Sequence, residues 1–285
     1  MTGQGEIRER RAEGSAASAD SRIVSLRDRA RRLWTRCPGC GLEVERSGLK
    51  ASLGVCPHCG FHHRISAGER AGYLFDPDSF RVADEVVLTA DPLRFQDGAY
   101  RREAQGLGRE VMAYGLAAVR GSSCVAALMD FSVFGGSMST AVGEIFRRAC
   151  ALGVEHGLPL LAVVCSGGVR VQEGAPALMQ MARVMFALEE LSEAHLPFIS
   201  LLCDPSCGGV TASFATAADV ILAEPGALIC FSGPRVVEQI LGIKLEPDFS
   251  RAESLLDRGL VDMVVPRPRQ REVIGGLLAF FSERG

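Results

Sequence analysis

The chain has 285 residues, of which 47% are hydrophobic and 23% charged, and its formal net charge at pH 7 is −3. This length suits one large domain and one small one, and the composition excludes a disordered or fibrous chain. The slight acidity excludes a basic nucleic-acid-binding surface over the whole chain. No apolar run approaches the roughly eighteen residues that a transmembrane helix needs, so we expect no membrane association.

Residues 1–32 are predicted to form a flexible tail, in which arginine, serine and acidic residues are frequent. They contain no apolar segment of the kind that a secretory signal peptide has. The ten cysteines of the chain therefore indicate a reducing, cytoplasmic location. In that compartment, paired cysteines suggest a metal site rather than disulfides.

Two C-x-x-C pairs follow the tail and fit the pattern C-x2-C-x15-C-x2-C, which is typical of a tetrahedral zinc site. Four protein thiolates leave no coordination position open, so the zinc is expected to be structural rather than catalytic. We therefore predict a zinc ribbon over residues 33–64. Its predicted ligands are Cys37, Cys40, Cys56 and Cys59.

Three histidines near the second pair, His58, His62 and His63, are expected to face solvent, because four cysteines already fill the coordination shell. Two roles for the ribbon stay open. It either stabilises a segment too short to have its own core, or it docks a partner or nucleic acid through its basic residues. The acidity of the whole chain makes nucleic-acid binding at most a secondary activity.

The second predicted domain covers residues 65–285, where short apolar runs alternate with helical patterns, as in a βα-layered fold. We predict a strand over Cys124–Ser132 and a helix over Ala141–Gly157. Leu158–Gly168 and Leu196–Gly209 then repeat one design: Leu-Pro, a buried strand, a cysteine and a Gly-Gly turn before a helix.

Gly-Gly pairs follow three predicted strands, at Gly135-Gly136, Gly167-Gly168 and Gly208-Gly209. Open α/β sheets bind ligands at the carboxyl ends of strands, and helix N-termini offer unpaired N–H groups to negative charge. Glycine also lets the backbone approach a ligand closely. Such pairs also occur in ordinary tight turns, but three in consecutive connections favour a functional site.

Side-chain bases are scarce in this domain. Its two histidines, His156 and His195, lie just before strands, at the end opposite the glycine turns. Ser166 lacks the G-x-S-x-G context of hydrolases, and no P-loop is present. Backbone donors without a nearby base suit the stabilisation of an oxyanion. The proton acceptor would then come from a substrate, a cofactor or another subunit. Arg170 and Glu173, after the second pair, either hold the turns or form a solvated helix start.

The remaining predictions concern packing. A long helix is expected to contain Pro176 in its first turn, with Met179, Met181 and Met185 packed in the core. Strands are expected at Val220–Ala223 and Ala227–Phe231, and helices near Pro234 and over Arg269–Ser282. Cys207 is the one cysteine that we would test with a thiol reagent, although we expect it to be inert.

A family resemblance runs from about Leu33 to the end, in the order "LWTRCPGCG", "VCPHCGFHHRISAGER", "MDFSVFGGSMS", "SGGVRVQEG", "LMQMAR", "DPSCGGVTASFA", "ILAEPGALICFSGPRVVEQ" and "GLVDMVV". The chain resembles the β subunits of bacterial acetyl-CoA carboxylase carboxyltransferase. The resemblance implies an α/β, crotonase-like (ClpP/crotonase) β-β-α superhelix with an N-terminal four-cysteine zinc ribbon.

It also implies transfer of a carboxyl group from carboxybiotin, on a biotin carboxyl carrier protein, to acetyl-CoA, giving malonyl-CoA for fatty acid biosynthesis. The implied partners are a carboxyltransferase α subunit, usually in an α2β2 assembly, and a biotin carboxylase. The implied oxyanion donors are the amides of Gly167, Gly168, Gly208 and Gly209. The implied substrate-binding residues are Gly135, Gly136, Arg170 and Glu173.

The chain departs from the family's usual "SGGARMQEG" at Val169 and Val171, and it has Ser139 where a glycine is common. Alternatives therefore stay open: a paralogous carboxyltransferase for another acyl-CoA, or an acyl-CoA decarboxylase or hydratase that uses Glu173 and Asp204. The alternative from another class is a zinc-ribbon protein that binds nucleic acid.

Overall fold

The computed structural model describes residues 33–83, 87, 93–95, 98, 100 and 108–282. The chain divides into two compact units, Met1–His63 and Arg64–Gly285. The predicted tail, 1–32, lies outside the described residues. Within the described ranges, no helix combines the length and the apolar character needed to cross a membrane.

The first unit contains a small antiparallel hairpin and one short helix. Strand β1 (Trp34–Arg36) pairs with β2 (Glu43–Glu45), and helix α1 (Arg46–Ala51) follows directly. Among residues 33–63, the buried apolar cluster consists of Cys37, Val44 and Cys56, with Leu49 and Phe61 packed against it. A core of this size contributes little stability by burial, and small units of this kind are often stabilised by a cross-link such as a metal ion.

The second unit is built on a mixed sheet, whose strand order is β10-β8-β7-β6-β5-β4-β3, with β9 paired to β7. Pairing is parallel from β5 through β8 to β10 and antiparallel among β3, β4 and β5. The strands are β3 (Arg81–Val82), β4 (Met112–Val119), β5 (Ser122–Met129), β6 (Leu160–Ser166), β7 (Phe198–Cys207), β8 (Val220–Ala223), β9 (Ile229–Cys230) and β10 (Met263–Val264).

Helices and single 3-10 turns connect the strands. The α-helices are α2 (Ala67–Leu74), α3 (Thr140–His156), α4 (Ala175–Leu178), α5 (Gln180–Glu193), α6 (Gly208–Thr211), α7 (Pro234–Leu241), α8 (Ala252–Asp257) and α9 (Arg267–Ser282). The 3-10 turns are Phe134–Gly136, Val171–Glu173 and Phe214–Thr216.

Both faces of the sheet are covered. In β5, Val125 and Ala127 contribute to one apolar core, which also contains residues of α3 and α5. Ala126 and Leu128 contribute to a second core, which contains residues of α2 and α9. This alternation explains why the strands appear in the sequence as continuous apolar runs: each is buried on both sides.

The predicted elements of this unit are largely confirmed. The helix predicted at Ala141–Gly157 is α3, and Gly157 ends it in the left-handed conformation, with φ +62°. The strand predicted at Ala227–Phe231 is shortened to the two residues of β9. The last helix begins two residues earlier than expected, at Arg267.

Two of the three methionines that were expected in the core were predicted wrongly. Met179 and Met185 are 70% and 42% exposed, although both were expected in the core. Met179 occupies the junction between α4 and α5 rather than the interior of one helix. Met181 is partly buried, and it packs against the first core.

A buried ionic network joins α2, the end of β8 and α9. Glu224 accepts hydrogen bonds from Arg70 Nη1 at 2.8 Å, from Arg267 Nε at 2.9 Å and Nη2 at 2.8 Å, and from Gln270 Nε2 at 3.2 Å. Burial opposes ionisation of this carboxyl, but the two guanidinium groups outweigh it and hold its pKa well below the usual value. The carboxylate is therefore a charged link between helices on one face of the sheet.

Candidate functional site

The four predicted metal ligands lie together in the first unit. All four sulfur atoms are within 4.8 Å of one another. A tetrahedral site with metal–sulfur bonds of about 2.3 Å has sulfur–sulfur edges of about 3.8 Å, and the Sγ atoms of Cys37 and Cys59 are 3.7 Å apart. Two matching turns present the sulfurs, since Gly41 N–H donates to Cys37 O and Gly60 N–H to Cys56 O. The cluster therefore fits a metal ion.

The pKa values of these thiols show why a cation suits the cluster. Burial opposes ionisation of Cys56, but the amides of His58 and Cys59 outweigh it and lower the pKa of Cys56 to about 7. The Phe61 amide lowers the pKa of Cys59, yet burial and the neighbouring thiols together raise it to about 12. Ionisation of one thiol thus disfavours ionisation of its neighbours, and a bound cation would offset this repulsion between thiolates.

The three histidines differ in exposure. His58 is exposed, as expected, and His63 is half-buried. The expectation that His62 faces solvent was wrong, because its side chain is buried. The backbone of His62 forms an antiparallel bridge with Val55.

The three Gly-Gly pairs meet at the carboxyl ends of β5, β6 and β7. Gly167 N–H donates to Gly135 O at 2.9 Å, which joins the first turn to the second. Ser166, the last residue of β6, donates from Oγ to Gly136 O at 2.5 Å and accepts from Gly168 N–H at 3.0 Å. The buried hydroxyl of Ser166 therefore fixes both turns.

The second and third turns are in direct backbone contact. Gly208 has φ +68°, and a Cβ placed on it would lie 2.9 Å from Gly168 Cα. A Cβ on Gly168, whose φ is +117°, would lie 3.4 Å from Gly208 Cα. The positive φ favours glycine at both positions, and at Gly208 the close approach to Gly168 also requires it. The two turns thus lie together at the carboxyl ends of β6 and β7, as predicted from the sequence.

Three of the four implied oxyanion donors already have acceptors in the protein. Gly167 N–H donates to Gly135 O, Gly168 N–H to Ser166 Oγ, and Gly208 N–H to Phe231 O. In the described part of the chain, Gly209 N–H has no acceptor, and Gly209 lies in the first turn of α6, where helices leave such groups unpaired. Among the four implied donors, its amide is thus the one that no acceptor in the described part of the chain engages.

Arg170 is buried and fully engaged with protein groups. Its guanidinium donates to Glu110 Oε1 at 2.9 Å and Oε2 at 3.0 Å, and to Ser137 Oγ at 3.1 Å. It also lies 4.3 Å from the ring centroid of Phe134. These contacts join the turn after β6 to the turn after β5, so this side chain holds the turns.

Glu173 caps the helix after the first turn. It accepts from Thr140 N–H at 2.7 Å, and the hydroxyl of Ser139 accepts from Val142 N–H at 3.0 Å. Asp204 likewise accepts a hydrogen bond from Leu228 N–H at 3.0 Å. Both carboxylates considered for hydratase chemistry, Glu173 and Asp204, are therefore hydrogen-bonded to backbone amides. A direct substrate contact by Arg170 or Glu173 stays a prediction.

Sequence reasoning missed two residues that build the site, Ser166 and Glu110. Glu110 is buried and lies sixty positions from Arg170, and no local pattern connects the two. Ser166 was considered only as a nucleophile, although its position between a buried strand and a Gly-Gly turn could have suggested a turn-fixing hydroxyl.

Known proteins that are similar to this chain in sequence include carboxyl transferases. The family model of the carboxyl transferase domain matches residues 64–253. The chain is 43% identical over 252 residues to the acetyl-coenzyme A carboxylase carboxyl transferase subunit beta of Pelobacter propionicus, covering 86% of this chain and 89% of the relative. It is 47% identical over 253 residues to the same subunit of Parasynechococcus marenigrum, covering 86% of both chains.

Solved structures show the same fold. Transcarboxylase 12S superposes with a TM-score of 0.65 at 24% identity, covering 82% of this chain, which spans only 43% of that one. The Pseudomonas malonate decarboxylase MdcD-MdcE hetero-dimer superposes with a TM-score of 0.60 at 23% identity, covering 77% of this chain and 86% of that one. At these identities the likeness concerns the fold alone.

Proposed function

The chain belongs to the carboxyl transferase family of acetyl-CoA carboxylase β subunits, and on that basis we propose that it transfers a carboxyl group from carboxybiotin to acetyl-CoA, giving malonyl-CoA. The observation that carries the proposal is the backbone contact between the Gly167-Gly168 and Gly208-Gly209 turns. The proposed site provides the acyl-CoA half of the reaction.

Carboxyl transfer to acetyl-CoA requires loss of a methyl proton, which places negative charge on the thioester oxygen. A site for this reaction needs N–H donors directed at that oxygen, and one such donor contributes about 3 kcal/mol to transition-state stabilisation. Gly209 N–H supplies a donor that has no acceptor in the described part of the chain. We assign it as the first donor, and the half-exposed turns around Gly135 and Gly208 as the approach for the thioester.

The polar side chains around the turns are not free to act as bases. Ser166, Arg170 and Glu173 are buried and hydrogen-bonded to other protein groups. The nearest histidines in the sequence, His156 and His195, end the helical segments that precede β6 and β7, at the opposite edge of the sheet. Carboxybiotin, on a separate carrier protein, supplies the carboxyl group and, by family analogy, the proton acceptor.

Exposed apolar side chains indicate a partner subunit. Helix α7 buries none of its residues, and Ile240 and Leu241 are 76% and 60% exposed. Beside the second turn, Val171 and Met179 are 77% and 70% exposed. Apolar faces of this kind mark protein interfaces. We assign them to a carboxyltransferase α subunit in an α2β2 assembly, which works with a biotin carboxyl carrier protein and a biotin carboxylase.

The four-cysteine cluster is proposed to hold structural zinc. Cysteine thiolates in a tetrahedral set favour this ion, and four of them leave no position for substrate. Zinc would neutralise thiols that oppose one another's ionisation, and it would stabilise a unit whose core is small. We also propose a cytoplasmic location, in which these thiols stay reduced.

The test is co-expression with candidate α subunits, followed by carboxyl transfer from the carboxylated carrier protein to acetyl-, propionyl- and longer acyl-CoAs. The proposal expects malonyl-CoA formation that depends on the carboxylated carrier. A preference for a longer acyl-CoA would instead identify a paralogous carboxyltransferase. The absence of product from every acyl-CoA, with the assembly formed, would refute carboxyl transfer.

A further inference from the structure

Cys207 and Cys230 bring their sulfur atoms within 3.0 Å of each other. Cys207 is the last residue of β7, directly before Gly208, and Cys230 is the last residue of β9. Both side chains are buried, with 9% and 6% exposure. The pair lies outside the metal cluster, and the proposed carboxyl transfer uses neither thiol.

The backbone geometry permits a bond between these sulfurs. Cys207 and Cys230 are direct partners in the parallel pairing of β7 with β9. Neighbouring strands lie about 4.8 Å apart, which falls within the Cα separation of roughly 4.4–6.8 Å that disulfides span. A disulfide needs an S–S distance of about 2.05 Å, so the two sulfurs must approach by about 1 Å.

We propose that Cys207 and Cys230 form a reversible disulfide on reaction with a peroxide, and that this bond controls the Gly208-Gly209 turn. In the first step the Cys230 thiol loses its proton and its sulfur attacks one oxygen of hydrogen peroxide; the O–O bond breaks, the departing hydroxide takes up that proton to form water, and Cys230 becomes a sulfenic acid. Next, the Cys207 thiol attacks the sulfenic sulfur, its proton leaves with the hydroxyl as a second water, and the S–S bond forms. The two thiols lose two electrons, the peroxide gains them, and a dithiol reductant restores both thiols.

The order of these steps follows from the environment of each thiol. The hydrogen bond with Cys207 lowers the pKa of Cys230; burial opposes this, while the positive charge of Arg251 adds to it. The same hydrogen bond, together with burial, raises the pKa of Cys207. Cys230 is therefore the thiol that ionises first and attacks, and Cys207 is the resolving thiol.

The disulfide would change the position of the proposed site because Cys207 is joined directly to Gly208 by a peptide bond. Gly208 N–H donates to Phe231 O at 3.1 Å, so the residues that follow both cysteines are already joined. A Cβ on Gly208 would lie 2.9 Å from Gly168 Cα, so the contact between the turns leaves little room for movement. A shift of about 1 Å at a catalytic group can lower the rate by about a hundredfold.

The experiment uses the full chain with zinc, freed of reductant and then exposed to hydrogen peroxide. Remaining thiols are alkylated, the protein is digested without reduction, and the peptides are mapped by mass spectrometry. We expect a cross-link between the Cys207 and Cys230 peptides that disappears after treatment with dithiothreitol. Cys165→Ser should keep this cross-link, whereas Cys230→Ser should lose it.

Several results would overturn the inference. One is that Cys207 and Cys230 are both recovered alkylated, and so not cross-linked, under conditions in which peroxide does modify the metal-cluster cysteines. Another is a cross-link from Cys207 to Cys165 or to a second copy of the chain. In the assembled enzyme, oxidation should lower carboxyl transfer by about tenfold to a hundredfold, with recovery on reduction.

The effect on turnover rests on the proposed function, whereas formation of the disulfide does not. If the reduced assembly transfers no carboxyl group, the proposed function fails and the peptide map still decides the cross-link. If the cross-link forms and turnover is unchanged, control of the turn is refuted.

Discussion

The contact between the two glycine turns can be tested by adding one methyl group. Gly208→Ala places a side chain on a residue with φ +68°, where its Cβ would lie 2.9 Å from Gly168 Cα. An L-residue in the left-handed conformation costs about 1–2 kcal/mol. The backbone clash must also move the turns apart by several tenths of an ångström.

A matched control separates backbone strain from contact between the turns. Gly226 has the same φ, +68°, in the loop between β8 and β9, and a Cβ on it would meet nothing within 4 Å. Gly226→Ala should therefore lose about 1–2 kcal/mol of unfolding free energy without disturbing the site. Gly208→Ala should lose at least as much stability. In addition, its kcat should fall by about a hundredfold, the usual cost of a misplaced oxyanion donor.

Urea unfolding of each variant gives the stability difference, and malonyl-CoA formation by the assembled enzyme gives kcat and KM. We expect the two variants to differ in kcat rather than in stability alone. Equal kcat values for folded Gly208→Ala and Gly226→Ala would refute the assignment of this turn to catalysis. A Gly208→Val variant is a poorer test, because its larger side chain adds to the strain and the clash.

The structure also supports predictions on stability, metal binding and assembly. Glu224→Gln should lower the unfolding free energy by about 3 kcal/mol or more, because two buried guanidinium groups lose their counter-charge. Since the folded pKa of Glu224 is depressed, its stabilisation is complete above the unfolded pKa of about 4.3 and is lost as the pH falls below that value; urea titrations from pH 7 to pH 3 should show this loss in the native chain and not in the variant. Chelation of the metal or Cys56→Ser should unfold residues 33–63, monitored by amide exchange, and retained exchange protection without metal would contradict a structural zinc site. Ile240→Asp should abolish binding to an α subunit, measured by size-exclusion chromatography, whereas Val154→Asp on α3 should not; unchanged binding by Ile240→Asp would exclude α7 from the interface.

Local patterns predicted the elements of the fold because each signal is confined to a few neighbouring residues. The Gly-Gly pairs mark the carboxyl ends of β5, β6 and β7, and Gly157 marks the end of α3. The four ribbon cysteines were identifiable because metal coordination fixes their spacing. Such features require no knowledge of distant contacts.

Contacts between distant positions could not be predicted in the same way. The pairing of Arg170 with Glu110 depends on β4 lying beside β5, so the choice between a solvated residue and a turn-holding residue stayed open. The exposure of Met179 depends on the break between α4 and α5, and that of Met185 depends on which face of α5 packs on the sheet; helical spacing alone predicts neither. The proximity of Cys207 to Cys230 likewise depends on the pairing of β9 with β7.

In the proposed enzyme, main-chain N–H groups act on the substrate and buried side chains hold them in position. At the turns, the side chains of Ser166, Arg170 and Glu173 are buried and bound to protein groups, so they fix the positions of main-chain donors. Donors held in this way need no reorganisation when charge develops on a thioester oxygen, which is the condition under which they stabilise it most. The same arrangement leaves this chain without a free base at the turns, among the residues that the structure describes. In the proposed reaction the proton acceptor and the carboxyl group come from carboxybiotin, and the apolar surface exposed at Val171, beside the second turn, is where we place the partner subunit.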